Sequence, residues 1–188
     1  GSRFDLSLFG KNYQNLEIAM AGAHQVKNAI AALATLSILR DRGDILITKE
    51  QIYAGFKAAK QPGRLEVLSM GQEQPMLVID GAHNEDGAKA LEDAVASFCA
   101  GKRILMVTGI LVDKDVDGIL AHFTAITKDF IVTEPDNPRK MAAVDLAAKI
   151  EMLGGKCRVA GSIQQACQMT KDLSSEYDVI LFAGSLYM

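Results

Sequence analysis

The sequence predicts an α/β fold, in which a mostly parallel sheet is covered by helices on both faces. In the second half of the chain, short runs that are apolar throughout alternate with segments of helical periodicity. This alternation is typical of βαβ units. Continuous apolar strands indicate a sheet that is buried on both sides rather than one that faces water.

The elements of this sheet can be assigned in order along the chain. Strands are predicted at residues 65–70, 76–80, 103–108, 130–133, 157–160 and 179–182. Helices are predicted between the later strands, at residues 85–98, 116–123, 142–152 and 162–173. The first two strands are separated only by residues 71–75, which cannot hold a crossover connection. They should therefore form an antiparallel hairpin at the edge of the sheet.

The beginning of the chain has a different pattern. A short polar strand or loop is followed by a long helix over about residues 24–41. Thr48 and Gln51 form a capping box that begins a second helix. This helix ends before Gln61-Pro62-Gly63, the best boundary signal in the chain, so we expect domains over residues 1–61 and 62–188. Gly1-Ser2 looks like a cloning scar and is left out of the fold prediction.

Composition excludes several classes of function. The 188 residues carry a net charge of -3 and no large basic block, so we expect neither nucleic acid nor an anionic membrane as partner. The chain shows no apolar run of spanning length and no signal peptide. Its three cysteines lack CxxC spacing, which predicts reduced thiols in a cytoplasmic protein.

The stretch "VIDGAHNEDG" places polar side chains at a strand end, where open α/β sheets bind their ligands. The Asp80 carboxylate could accept hydrogen bonds from a ribose diol, and His83 could donate to a phosphate oxygen. Asn84 is suited to cap the following helix. The alternative is that Asp80 and Asn84 only stabilise a turn. A metal site at Asp80 and His83 is disfavoured, because no further ligands lie nearby in sequence.

Four other residues are candidates for ligand binding, and three of them have a simpler alternative. Arg64, after Pro62-Gly63, could clamp a phosphate or be an ordinary surface arginine. Lys114, between two aspartates, could bind an anionic group or be solvated. Asn28 could pair with an adenine edge or serve helix capping and first-turn polarity. Ser185 follows the last strand, so its hydroxyl could line the ligand crevice. The loop with Arg139 gives a weaker signal.

Two common nucleotide-binding motifs are missing from the sequence. Neither G-x-x-x-x-G-K-[ST] nor GxGxxG occurs in it. A nucleoside triphosphate would therefore lack its usual phosphate cradle within this chain. A nicotinamide-dependent dehydrogenase is disfavoured for the same reason.

The order of the motifs is more informative than each motif alone. The segments "GAHQVKNAIAAL", "QPGRLEVL", "VIDGAHNEDGAKAL", "GILVDKD", "TEPDNPRK" and "GSLY" resemble the carboxyl-terminal portion of folylpolyglutamate synthase/dihydrofolate synthase, in the Mur ligase superfamily. The resemblance covers nearly the whole chain, and "PGRLEV" followed closely by "DGAHN" is specific. It implies that residues 1–61 are the tail of a central ATPase domain, with the phosphate loop upstream. Residues 62–188 would be a Rossmann-like glutamate ligase domain.

The resemblance also implies roles for individual residues. Arg64 and His83 would be catalytic and would bind ATP together with Asn28 at the adenine and Asp80 at the ribose. Lys114 and Ser185 would lie toward L-glutamate. No residue of the chain would be a metal ligand, because the Mg²⁺ ligands would lie mainly upstream.

The implied reaction is ATP-dependent amide-bond formation. The carboxylate of a folate or dihydropteroate would be activated as an acyl phosphate, and the amino group of L-glutamate would displace phosphate. The isolated chain should be inactive without the ATPase domain of the same protein, and the enzyme should be a monomer. The alternatives are another Mur-type ligase, acting on a cell-wall precursor, and a non-catalytic nucleotide-binding α/β module. The sequence does not distinguish dihydrofolate synthase from polyglutamate synthase activity.

Overall fold

The chain folds into two units, Gly1–Pro62 and Gly63–Met188, in a computed structural model that describes residues 1–69 and 74–188. The division falls at the Gln61-Pro62-Gly63 breaker, one residue after the predicted boundary. Gly63 has a φ of 68°, which glycine adopts at little cost. That the first unit is the tail of an ATPase domain stays a prediction.

The first unit begins with an antiparallel hairpin that the sequence analysis missed. Strand β1 (Ser2–Leu8) pairs with β2 (Lys11–Ile18), where the analysis allowed only a short strand or loop. Phe9 and Gly10, which join them, have φ values of 49° and 73°, as a type I′ turn requires. Phenylalanine is not a usual signal for this turn. Ser2, set aside as a cloning remnant, pairs with Ile18 in the ladder.

Two helices complete the first unit. Helix α1 (Ala23–Asp41) and helix α2 (Lys49–Ala58) lie where they were predicted, within a residue at their starts. The predicted capping box is present: Thr48 Oγ1 accepts from the Gln51 backbone N–H at 3.2 Å, and Gln51 Oε1 accepts from the Thr48 N–H at 2.9 Å. Helices and hairpin enclose a small core whose fully buried members are Tyr13, Leu16, Leu33 and Ile52.

The second unit contains the predicted sheet, so the predicted fold class is confirmed. Its strands are β3 (Glu66–Ser69), β4 (Met76–Ile79), β5 (Ile104–Thr108), β6 (Asp129–Val132), β7 (Lys156–Val159) and β8 (Val179–Ala183). They lie in the order β3-β4-β8-β5-β6-β7, and only β3 is antiparallel to its neighbour. The edge hairpin β3–β4 is therefore as predicted, although most of its turn, residues 70–73, lies outside the described residues.

Four helices connect the strands and cover both faces of the sheet. They are α3 (Glu85–Phe98), α4 (Val116–Ile126), α5 (Ala143–Met152) and α6 (Ile163–Asp172). Helices α3, α4 and α5 share one core with alternate residues of β5, such as Met106. Helix α6 packs on the opposite face, with Leu105 and Val107. Because successive residues of a strand point to opposite faces, a strand covered on both sides must be apolar throughout.

This topology gathers four loops at one edge of the sheet. Strands β4, β5, β6 and β8 run parallel, so their carboxyl ends lie side by side. The residues that follow them are 80–84, 109–115, 133–142 and 184–188. They include every candidate site residue except Asn28 and Arg64.

Candidate functional site

The PGR and DGAHN motifs are joined by hydrogen bonds. The Asp80 carboxylate accepts from the Leu65 backbone N–H at 2.7 Å and from the Ala82 N–H at 2.8 Å. The Gly81 N–H donates to the Gly63 carbonyl at 2.6 Å. Asp80 is 7% exposed, so both of its bonds are shielded from water. The two motifs therefore fold as one junction at the carboxyl end of β4.

The junction holds a strained turn that presents Arg64. Leu65 has a φ of 45°, a value that costs a non-glycine residue about 1–3 kcal/mol. The hydrogen bond that the Leu65 N–H donates to Asp80 offsets this strain. Glu66 Oε2 also accepts from the Gly63 N–H at 2.8 Å. Arg64 itself is half-buried, and no acidic side chain among residues 1–69 and 74–188 forms an ion pair with it. The hydrogen bonds of the junction thus fix the backbone on both sides of Arg64.

His83 has a fixed ring orientation. Its Nδ1 lies 2.7 Å from the Gly81 carbonyl oxygen. Because a carbonyl only accepts, Nδ1 carries the proton and Nε2 is the nitrogen left to meet a ligand. Asn84 caps α3, with its Oδ1 accepting from the Gly87 N–H at 2.9 Å. His83 therefore lies beside a helix N-terminus, where anions are favoured.

The last residues of the chain pack over this junction. The Gly184 N–H donates to the Ala82 carbonyl at 2.9 Å. Gly184 has a φ of 118°, and a Cβ added there would lie 2.6 Å from Thr108 Oγ1, so only glycine fits. Ser185 is 7% exposed, and its Oγ accepts from the Tyr187 N–H at 3.1 Å. In this structure the Ser185 hydroxyl closes the terminal turn.

The loops after β5 and β6 meet at Asp113. Arg139 Nη1 donates to Asp113 Oδ2 at 2.7 Å, and Lys114 Nζ lies 3.9 Å from the same oxygen. The Val112 N–H also donates to the Arg139 carbonyl, at 2.8 Å. Asp115 caps α4 by accepting from the Gly118 N–H at 3.0 Å. Lys114 and Arg139 thus place two cations around one carboxylate.

A second ion pair supports the start of α5. Lys140 Nζ lies 2.7 Å from Glu134 Oε2, and Glu134 Oε1 accepts from the Ala143 N–H at 3.3 Å. Ala142, at the N-cap position, has no side-chain cap to offer, so Glu134 takes that role. The hydrogen bond with Lys140 lowers the pKa of Glu134 and raises the pKa of Lys140.

Sequence reasoning missed Asp113 and Glu134 as partners of these cations. The only signal was their position, since both lie in loops that follow adjacent parallel strands. Asn28 lies in the first unit, whereas the other candidates lie in the second. It is exposed on α1, where its Nδ2 donates to Gln25 Oε1 at 3.3 Å. The capping alternative for this segment is wrong, because no side chain caps α1.

Across residues 1–69 and 74–188, no three His, Cys, Asp or Glu side chains group closely enough to hold a metal ion. Within the same ranges no helix has the length and apolar character needed to cross a membrane.

Comparison with known proteins identifies relatives of the whole chain. The "Dihydrofolate synthase/folylpolyglutamate synthase" of Mycobacterium tuberculosis is 32% identical over 92% of this chain and 36% of its own length. The structure of the folylpolyglutamate synthase from that organism, complexed with ADP and AMPPCP, has 31% identity and a TM-score of 0.80, covering 93% of this chain and 40% of that one. The structure named "E.coli FolC in complex with DHPP and ADP" has 27% identity and a TM-score of 0.82, covering 96% and 40%.

The resemblance seen in the sequence is therefore confirmed, with one restriction on its extent. The chain spans only about two fifths of the length of the curated relatives it matches. The family model described as "Mur ligase, glutamate ligase domain" matches residues 63–186, which is nearly all of the second unit. The chain belongs to the Mur ligase family and carries its glutamate ligase domain.

Proposed function

We propose that this chain is part of an ATP-dependent ligase that adds L-glutamate to the carboxylate of a folate or of dihydropteroate. The observation that carries the proposal is the junction of the PGR and DGAHN motifs, which presents Arg64 and His83 at the ligand-binding edge of the sheet. Relatives named for these two synthase activities, and relatives complexed with ADP and DHPP, support the same assignment.

ATP would supply the activation of the acceptor carboxylate as an acyl phosphate, so that the glutamate amine displaces phosphate. The Arg64 guanidinium would bind phosphate oxygens with its planar donor fork. Its hydrogen bonds to a charged group would be worth about 1.5–3 kcal/mol each. The hydrogen bonds donated by the Gly63 and Leu65 N–H groups fix the backbone that carries Arg64 before the nucleotide binds, which lowers the entropic cost of binding.

His83 and Asp80 would bind the sugar-phosphate part of the nucleotide. His83 Nε2 faces away from the bond that Nδ1 makes to Gly81, and it lies beside the N-terminus of α3. Asp80, whose carboxylate supports the junction by accepting from two backbone N–H groups, would also bind the ribose. Asn28, on the first unit, would contact the adenine.

L-Glutamate would bind near the loops after β5 and β8. Lys114 and Arg139 share the single carboxylate of Asp113, so this cluster has one positive charge in excess. A substrate carboxylate would neutralise that charge. Ser185, whose oxygen accepts from the Tyr187 N–H, would donate its hydroxyl proton to the substrate.

Magnesium belongs to the proposed reaction, but the described residues do not fit a magnesium site. They contain no group of three or more potential metal ligands. No step is therefore assigned to a metal held by these residues. The enzyme is proposed to be a cytoplasmic monomer, and the three cysteines, all described and all unpaired, agree with a reducing compartment.

The test measures ADP release by the protein in which this chain is joined to its proposed ATPase domain. Dihydropteroate, tetrahydrofolate and a muramoyl precursor are offered in turn, with ATP, magnesium and glutamate. Turnover with a pteroate or folate should be lost in Arg64→Ala and kept in Arg158→Ala, which removes the same charge from an exposed position on β7. Turnover with the muramoyl precursor alone would refute the proposal that the substrate is a folate or pteroate. Full activity of Arg64→Ala would refute the proposed role of Arg64 in the site.

The 188-residue chain by itself should release no ADP under the same conditions, because its sequence contains no phosphate loop. Calorimetry should also show weak or undetectable ATP binding. Tight binding of ATP by this chain would contradict the proposed division of the active site between domains.

A further inference from the structure

A cavity lies on the face of the sheet that α6 covers, away from the candidate site. Its volume is about 600 Å³. Leu77 of β4 and Ile180 and Phe182 of β8 form its floor, and Cys167 and Thr170 of α6 form one wall. Gln74 and Ser174, which precede β4 and β8 in the chain, lie at its rim. The cavity therefore opens near the amino ends of these strands, whereas the candidate site lies beyond their carboxyl ends.

The described lining residues combine an apolar interior with one positively charged side chain. The floor is aliphatic and aromatic, and the Thr170 hydroxyl already donates to the Cys167 carbonyl at 2.8 Å. Lys171, one turn after Cys167, brings an ammonium group to the rim. It is exposed, and no acidic side chain within residues 1–69 and 74–188 forms an ion pair with it. The amide of Gln74 and the hydroxyl of Ser174 add neutral hydrogen-bonding groups.

This combination specifies a class of ligand. Small-molecule sites measure about 300–1,000 Å³ and are mostly apolar, with a few polar groups that fix orientation. We propose that the cavity binds a small molecule with an apolar body and one anionic head group, the body on Leu77, Ile180 and Phe182 and the head at Lys171. The cavity is separate from the nucleotide and glutamate sites, so the proposal does not depend on the proposed function.

The first experiment compares two ligands of equal length on the 188-residue chain. Octanoate and 1-octanol are used to displace 8-anilinonaphthalene-1-sulfonate, whose fluorescence reports the occupied cavity. In the unaltered chain, the ratio of octanoate affinity to octanol affinity should be at least about three times the same ratio in Lys171→Met. A threefold change is the size expected for an exposed ion pair. Lys89→Met, which removes another exposed lysine, on α3, that forms no ion pair within residues 1–69 and 74–188, should leave this preference unchanged.

The second experiment fills or protects the cavity. Cys167→Phe should abolish saturable binding of both ligands while the far-ultraviolet circular dichroism spectrum is retained. In the unaltered protein, octanoate should slow alkylation of Cys167 but not of Cys99, which lies buried in the core on the opposite face. Non-saturable binding, equal loss in both lysine variants, or alkylation of Cys167 that octanoate does not slow would each overturn the proposal.

Discussion

Replacing Asp80 by asparagine tests whether one carboxylate holds the site together. Asp80 accepts two backbone N–H groups at 2.7 and 2.8 Å and is 7% exposed. An asparagine of the same shape offers one oxygen and one NH₂ group, so one of the two backbone donors must face another donor. The variant loses a hydrogen bond to a charged acceptor and leaves one backbone N–H buried without an acceptor. Together these should cost about 2–4 kcal/mol of unfolding free energy.

The assay for this variant combines urea unfolding with hydrogen exchange. The free energy of unfolding of the second unit should fall by the amount given, and the Leu65 or Ala82 amide should exchange faster. Asp93→Asn is the matched control, because Asp93 is exposed in the middle of α3 and should change stability by no more than about 0.5 kcal/mol. Equal effects of the two substitutions, or unchanged exchange at both amides, would refute the claim that Asp80 organises the junction.

Three further substitutions or modifications have defined outcomes. Gly184→Ala should lower the melting temperature more than Gly154→Ala. Both glycines have positive φ (118° and 80°), but only at Gly184 would an added Cβ lie 2.6 Å from another atom. Equal shifts of the melting temperature would contradict this. Glu134→Gln should destabilise the protein near neutral pH and not in acid. The folded pKa of Glu134 lies below its ordinary value of 4.5, so its contribution to stability is complete above pH 4.5 and is lost as the pH falls through the folded pKa. Melting curves measured across this pH range test the prediction. Glu151→Gln, at an exposed site on α5, is the control. Burial raises the pKa of Cys157 to about 11, so mass spectrometry should find it alkylated slowly at neutral pH, and rapid labelling would show the site to be open.

Local signals account for the parts of the fold that the sequence predicted well. Asn84 and Thr48 each satisfy a backbone N–H near the start of their own helix, so the information lies within four residues. The N-terminal hairpin was missed because its turn is formed by Phe9-Gly10, a pair without the usual asparagine or aspartate. There the burial of Leu16, not the turn sequence, specifies the pairing.

The candidate site shows the same division between local and distant information. The position of Asp80 at a strand end could be read directly, and so could its place at the ligand-binding edge. Its bond to the Leu65 N–H could not, because it depends on how the β3–β4 hairpin closes. The convergence of Lys114 and Arg139 on Asp113 likewise depends on the conformations of two loops that are far apart in the sequence and follow the neighbouring strands β5 and β6.

The strand order has a consequence for how the second unit folds. Strand β8 follows the other strands of this sheet in the sequence but lies between β4 and β5, so Met76 and Ile104 both pair with Val179. Until this pairing forms, the β3–β4 hairpin and the β5–β6–β7 sheet each have an unpaired apolar edge, which favours association between chains. When β8 pairs with β4 and β5, it closes two stretches of chain of very different length at once. Pairing between residues so far apart in the sequence is slow. A chain ending at residue 178 should therefore aggregate during refolding where the full 188 residues do not, as light scattering would show.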